Sequence, residues 1–416
     1  MTSVLIPSRS TARMAWRNLW RNRRRTILAL VAIGLSVTLV IAYTSLMRAY
    51  SGWIVETITG PMLGHVQMHA PKWRKDRLMD RTLRDAGALL DQVRRDPNVA
   101  DATGRIYAPA LAALGEEGFA VMVVGVDTVA ESGPTRLINE VIGPLTARQA
   151  LVGRQLAELM GVRTGDEIAV VGQGIDGSLA NDLFTVKAIV TTPVDLVNRQ
   201  GIIIGVAEAQ TLFAMRDEVH EIVVHARRAE AAAPLAQRLS AGPAFSGAEV
   251  LDWQTLAPEM VNLVRIADLA GMFVLILVFI AAAAGVANTM VMATFERTRE
   301  FGMLLALGTH PVRLVQLVVA ESLALGFIGA LVGSAIGVAI VAVTHRTGID
   351  YAMLTGGGPS ELSFAGMRFS LRFYPTLDAI DVVRAIGAVA VTSLVASIWP
   401  AVRASRLQPV RALRGA

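Results

Sequence analysis

The sequence predicts an α-helical membrane protein with four transmembrane helices and an inserted extracytoplasmic α+β domain. Three observations predict it. Four apolar spans, at 26–47, 269–292, 312–343 and 382–402, each supply the ~20 residues that carry a helix across a ~30 Å hydrocarbon core. The stretch 48–264 between the first two has the mixed hydropathy of a folded soluble domain. Arginines crowd both ends. A chain that is 53% hydrophobic and 18% charged is also excluded from the disordered class.

The basic lead sets the orientation. Residues 1–25 hold Arg9, Arg13, Arg17, Arg21, Arg23, Arg24 and Arg25 without an acidic residue. The other end holds Arg403, Arg406, Arg411 and Arg414. Short Arg-rich flanks stay in the cytoplasm, so both termini are expected inside. No small-residue cleavage site follows the first span, which therefore reads as a retained anchor. Arg13, Arg17, Arg21 and Arg24 recur at helical spacing, with Trp16, Leu19 and Trp20 on another face. That pattern fits a helix in the cytoplasmic interface, and equally a topology signal alone.

The expected divisions are an amphipathic N-terminal helix at 1–25, spans at 26–47, 265–292, 312–345 and 381–402, and the external domain at 48–264. A cytoplasmic helix and loop occupy 293–311, an external loop 346–380 and a cytoplasmic tail 403–416. In the external domain, residues 62–69 and 119–126 alternate, and 167–171, 184–190 and 201–206 are short β-branched runs. Helices are expected at 86–95, 146–160 and 228–239, in a domain of two subdomains. There is no cysteine, hence no disulfide and no thiol chemistry.

Several chemical signals in this domain are weak. Gly172-Gln-Gly-Ile-Asp-Gly177 matches a dinucleotide fingerprint, but a strand-like run follows it where a phosphate-binding helix would have to start, so it reads as a hairpin. His65 and His69 would share a metal only on a helix, and their run alternates as a strand. No catalytic residue and no metal site is assigned. The positive charge lies at the membrane flanks, which argues against nucleic acid.

The third span carries Gly326, Gly329, Gly333 and Gly337, small residues that let helices approach closely in lipid. Its expected partner is the small face of the second span, Ala281 to Gly285 and Ala287. Glu321 lies within this span, where a lone carboxylate is costly. The reading favours an ion pair with Arg313 or an arginine of the N-terminal helix over a proton or cation site. Between the second and third spans, Glu296, Arg297, Arg299 and Glu300 form opposite charges at helical spacing, Phe301, Leu304, Leu305 and Leu307 supply an apolar side, and Gly308 and Pro311 end the helix.

The run Glu296-Arg-Thr-Arg-Glu-Phe-Gly-Met-Leu-Leu-Ala-Leu-Gly308 resembles the cytoplasmic coupling segment of permease subunits in the macrolide-exporter and lipoprotein-releasing class of ABC transporters, a family that includes the bacterial cell-division permease. Three further stretches are similar to that family: Ala15-Trp-Arg-Asn-Leu-Trp-Arg-Asn-Arg-Arg-Arg25; Leu151-Val-Gly-Arg-Gln-Leu-Ala157 with Gly165-Asp166; and Pro400-Ala-Val-Arg-Ala-Ser-Arg-Leu-Gln-Pro409 with Ala412-Leu-Arg414. The resemblance implies a coupling helix of Glu296, Arg297, Thr298, Arg299, Glu300 and Gly302. It also implies a multi-pass protein of the bacterial inner membrane whose large domain is periplasmic.

The implied partners are a dimer of a cytoplasmic ABC ATPase, a second permease subunit (a copy or a paralogue), membrane lipids and a periplasmic carrier, adaptor or lipoprotein. No Walker motif is present, so ATP and Mg would belong to the ATPase, the chain itself would bind no cofactor, and the length speaks against a fused ATPase–permease. The implied activity is relay of ATP-driven motion to the external domain, with lipoprotein release favoured. Efflux of an amphiphile or peptide through a periplasmic adaptor, and activation of a cell-wall hydrolase, are the alternatives. For lipoprotein release, Leu46, Met47, Tyr50, Trp53 and Ile54 would line an acyl cavity; as residues at the membrane edge they also read as an interfacial aromatic belt.

Overall fold

In a computed structural model of the chain, residues 14, 16–18, 20–133, 135–350, 361–364, 367–370 and 372–408 are described. Leu19, the lead before Met14, the run Gly356 to Pro359 and the tail holding Arg411 and Arg414 lie outside the described residues. Contacts divide the chain into two units. One comprises Met1–Ser51, Arg265–Asp350 and Arg372–Ala416; the other comprises Gly52–Val264 and Tyr351–Leu371.

The first long helix, α1 (Arg23–Ile58), is followed by a π-helical turn, Thr59–Leu63. The inserted domain then runs through β1 (Val66–His69), α2 (Ala86–Arg94), β2 (Val99–Leu114), β3 (Glu117–Val126) and β4 (Gln149–Gly153). It continues with α3 (Arg154–Met160), β5 (Glu167–Gln173), β6 (Leu179–Val190), α4 (Asp195–Gln200), β7 (Gly201–Gly205) and α5 (Val206–Leu212), and ends with β8 (Glu221–Ala226), α6 (Ala232–Ser240) and β9 (Glu249–Asp252).

The sixteen-residue β2 organises this domain. Its first half pairs antiparallel with β8, extending the sheet β9-β1-β8-β2. Its second half pairs with β3 on one edge and β5 on the other. The remaining ladders, β3 to β7, β7 to β4, β4 to β6 and β6 to β5, close a ring of six strands. Ring closure removes sheet edges that would otherwise be open. Because β2 belongs to both parts, the nine strands form one continuous sheet where two subdomains are expected.

Side chains alternate between two apolar cores with the period of two that strands impose. Ile202 and Ile204 enter the larger core, and Ile203 enters a second one with Val194 and Val197. Ala150 and Val152 likewise separate from Leu151. With both faces covered, these strands read as unbroken apolar runs. This explains the correction at 146–160: its centre is β4, and only Arg154–Met160 is helical. A Cβ on Gly153 would collide with the Val197 carbonyl, so the strand-to-helix junction requires glycine there. The Gly-rich segment after β5 is a hairpin turn, with Gly177 at φ +84° and Gly174 N donating to Ser178 O at 2.9 Å.

The other unit takes α1 up to Ser51, α7 (Pro258–Glu296) from Arg265 onward, α8 (Thr298–Ala306), α9 (Pro311–Thr347) and α10 (Ala379–Ser405), while the hairpin of β10 (Glu361–Phe364) and β11 (Met367–Ser370) falls with the inserted domain. α1, α7, α9 and α10 are each long and apolar enough to cross a membrane. The glycine face of α9 packs on α1 and α10, where the second span is the expected partner. Cβ atoms built at Gly329 and Gly337 would lie 2.7 Å and 3.1 Å from Ile33 and Ile41. One at Gly333 would strike the Gly34 carbonyl, and one at Gly326 would strike Ser393. Thr38 Oγ1 donates to Gly333 O at 3.0 Å, and Ser322 Oγ to Ser393 O at 2.8 Å. Glycine on α1 meets glycine on α9, so the two backbones approach as small residues permit.

Candidate functional site

The segment joining α7 to α9 is built around a break in the helix. α7 stops at Glu296, and Arg297 leaves helical geometry at φ −104°, ψ 12°. α8 then runs to Ala306, and Gly308, whose φ of +86° suits glycine, ends the turn. His310 caps the next helix by accepting from Val312 N, and Pro311 occupies its first position.

The break turns Arg297 inward. The residue is 8% exposed, and Nη1 donates to both Glu321 oxygens at 2.7 Å and 3.0 Å. Nε donates to Glu300 at 3.1 Å, and the guanidinium lies 5.0 Å from the Phe301 ring centroid. Asn18 Nδ2 gives Glu321 a further bond at 2.6 Å. Two pairs on the rim join this centre to the N-terminal helix, Arg21 with Glu300 and Arg25 with Glu296, both at 2.7 Å. Burial works against the Arg297 charge, but Glu321 and Glu300 outweigh it and raise its pKa. Burial also opposes the Glu300 charge, yet Arg21 and Arg297 hold this carboxyl below its ordinary range. The partner of Glu321 is therefore Arg297 together with Asn18, where Arg313 or an N-terminal arginine is expected.

α8 has two faces. Phe301 and Gly302 are buried, Phe301 in a cluster with Leu314, Leu317, Val318, Ala401 and Ala404. Met303, Leu304 and Leu307 are exposed, Leu307 at 84%, and Arg299 is exposed beside them. Of the six expected coupling residues, Arg297 and Gly302 thus face inward, Thr298 and Glu300 are half-buried, and Glu296 and Arg299 lie outside. At 3.6 residues per turn, Leu46, Met47, Tyr50, Trp53 and Ile54 share a stripe of about 120° on α1. Ile54 is buried and the other four are half-buried; the Tyr50 ring lies 5.8 Å from Phe373.

A groove of about 480 Å³ opens between the ends of α7 and α10. Val291, Phe295, Glu296, Arg299, Trp399 and Arg403 are among its walls. The Arg403 guanidinium sits 4.4 Å over the Phe295 ring centroid and 5.3 Å from that of Trp399.

The inserted domain holds a buried polar cluster that has no motif in the sequence. Arg105, 1% exposed, forks onto Glu131 at 2.7 Å and 2.8 Å and donates to the carbonyls of Met62 and Pro61 at 2.8 Å and 3.1 Å. Tyr107 Oη donates to Glu221 at 2.7 Å. Burial pushes the Tyr107 hydroxyl upward, and Glu221 adds to the shift. The cluster pins the backbone just after α1 to β2. The only signal pointing to it is charged and aromatic residues placed within otherwise apolar strands.

Two family models match the chain: "MacB-like periplasmic core domain" over residues 26–241 and "FtsX-like permease C-terminal" over residues 272–409. The lipoprotein-releasing system transmembrane protein LolC of Neisseria meningitidis serogroup B is 24% identical over 270 residues, 64% of each chain. The macrolide export ATP-binding/permease protein MacB of Syntrophobacter fumaroxidans is 32% identical over 136 residues, 32% of this chain and 16% of that protein. In each case the match spans less than two thirds of the relative. Among solved structures, the periplasmic region of MacB from Actinobacillus actinomycetemcomitans aligns with a TM-score of 0.36 and 9% identity, over 50% of this chain and 96% of that one.

Proposed function

We propose, from the premise that this chain belongs to the family of ABC-transporter permeases with a MacB-like periplasmic core domain and an FtsX-like C-terminal domain, that it relays the motion of a separate ATPase to its inserted domain and so releases lipoproteins from the outer leaflet of the inner membrane. The observation that carries the relay is α8. Arg297 and Phe301 fasten its inner side, which leaves Met303, Leu304, Leu307 and Arg299 as an outer side for a soluble partner. An apolar patch beside charge suits a protein interface. An ATPase dimer holding ATP and Mg would rest on that outer side, with both chain termini in the cytoplasm, as the Arg-rich flank at 17–25 supports.

Movement of α8 would reach the inserted domain through α1 and α7, the two helices whose chain continues into it. A second permease chain would complete the assembly, and the stripe from Leu46 to Ile54 would face the acyl chains. The relative named for lipoprotein release, matched over 64% of the chain, supports this substrate class. The shorter matches to macrolide exporters support a second reading, efflux of an amphiphile with a periplasmic adaptor.

The test is purification from native membranes in mild detergent, with identification of every co-purifying protein. An ATPase with acylated lipoproteins supports the first reading, and an ATPase with an adaptor supports the second. Recovery without any ATPase overturns both.

A further inference from the structure

We propose that the groove between the ends of α7 and α10 is a binding site for an anionic phospholipid, with Arg299 and Arg403 holding the phosphate. The groove runs from Val291, inside the apolar stretch of α7, to Arg403, in the last turn of α10. Its occupant therefore needs one apolar end and one charged end, at the level where two bilayer-crossing helices leave the hydrocarbon. A soluble anion matches only half of that wall.

The charge also selects an anion. Glu296, the one carboxylate among the groove residues, is neutralised by Arg25 at 2.7 Å. Arg299 and Arg403 form no ion pair among the described residues. Arg403 is held between the Phe295 and Trp399 rings, which sets its plane before a ligand arrives. A planar guanidinium fork matches two phosphate oxygens. Trp399 is 56% exposed, placed as an aromatic ring is placed at a headgroup boundary. Basic pockets between helices at this level suit phosphate headgroups, and about 480 Å³ accommodates the phosphate and glycerol. The proposal needs only that α7 and α10 cross a membrane; it shares Arg299 with the outer side of α8, and Arg403 is the residue that tests it apart from the transport reading.

The test is native mass spectrometry of the delipidated full chain, titrated separately with phosphatidylglycerol, phosphatidylcholine and inorganic phosphate. Phosphatidylglycerol is expected to bind and phosphatidylcholine to bind more weakly. In Arg403→Gln the affinity for phosphatidylglycerol should fall about fivefold, the equivalent of the ~1 kcal/mol carried by one basic residue near a lipid surface. Arg299→Gln supplies the same comparison if Arg403→Gln does not fold, and Arg403→Lys should fall between wild type and Arg403→Gln. Equal affinity for the two lipids, unchanged affinity in both glutamine variants, or inorganic phosphate displacing the lipid at equal concentration would overturn the proposal.

Discussion

Arg297 and Glu321 stand 24 positions apart and meet at 2.7 Å, one at the break between α7 and α8 and the other within α9. Both are buried. Removing one partner of a buried pair strands the other charge, which costs about 3–5 kcal/mol, whereas replacing both with apolar groups is often neutral. Glu321→Leu and Arg297→Met should each lower the unfolding midpoint in detergent, and the double variant should recover most of the loss. Additive losses in that cycle would mean that the pair does not hold α8 on α9.

The outer side of α8 is predicted to be the partner's footing. Leu307→Asp changes a residue that is 84% exposed, so stability should move by no more than about 0.5 kcal/mol. ATPase co-purification should nevertheless be lost. A charge swap of Arg299 and Glu300 is a poorer probe, because Glu300 is already bridged to Arg21 and Arg297. Normal ATPase recovery with both Leu307→Asp and Met303→Asp would remove this footing.

Two glycines separate packing from helix propensity. Alanine is worth up to about 1 kcal/mol over glycine within a helix. At Gly387 on α10 an added Cβ meets nothing within 4 Å, so Gly387→Ala should be neutral or stabilising. At Gly333 it meets the Gly34 backbone, which cannot yield as a side chain tip can. Gly333→Ala should lower the melting midpoint and Gly337→Ala less so, since the nearest atoms there belong to the Ile41 side chain at 3.1 Å. Equal effects at 333 and 387 would count against close packing of α1 on α9.

The long helices were legible because twenty apolar residues have few other uses, and α8 was legible because its charges, apolar side and terminating glycine agree. The partner of Glu321 was not. A helical reading carries through Arg297 without a break, so that residue looks like one more surface charge. The partner of the α9 glycines was hidden for a related reason: small residues announce a close approach but carry no address. In the inserted domain β2 escaped notice because its alanines and Pro109 weaken the strand signal, while its stability comes from pairing with three other strands. The Arg105 cluster depends on tertiary pairing of β2 with β8, which no local window contains.

The inserted domain should also weaken in mild acid through its histidines. Burial, reinforced by Arg136, Arg105 and His65, pushes His225 down to about 2. Burial also lowers His65, where Arg136 assists and Glu230 opposes, and His220, where Met79 O and Glu218 oppose and Arg77 assists. His225 stays neutral in the fold, and His65 and His220 take up a proton less readily there than an unfolded histidine, which does so below about pH 6.5. Stability from each is complete above that pH and declines as pH falls, by up to about 1.4 kcal/mol per pH unit for one proton. Asp96, held low by Asn98 and Arg238 against the opposing effect of burial, has its window near and below the ordinary carboxylate range. Denaturant melts of the full chain between pH 6.5 and 4.5 should therefore report the histidines, with Glu221 acting in the opposite direction because burial raises its carboxyl despite Arg105 and Tyr107. His225→Asn should flatten the slope there by about one proton, whatever it does to absolute stability. An unchanged slope would mean that His225 does become protonated in the folded domain.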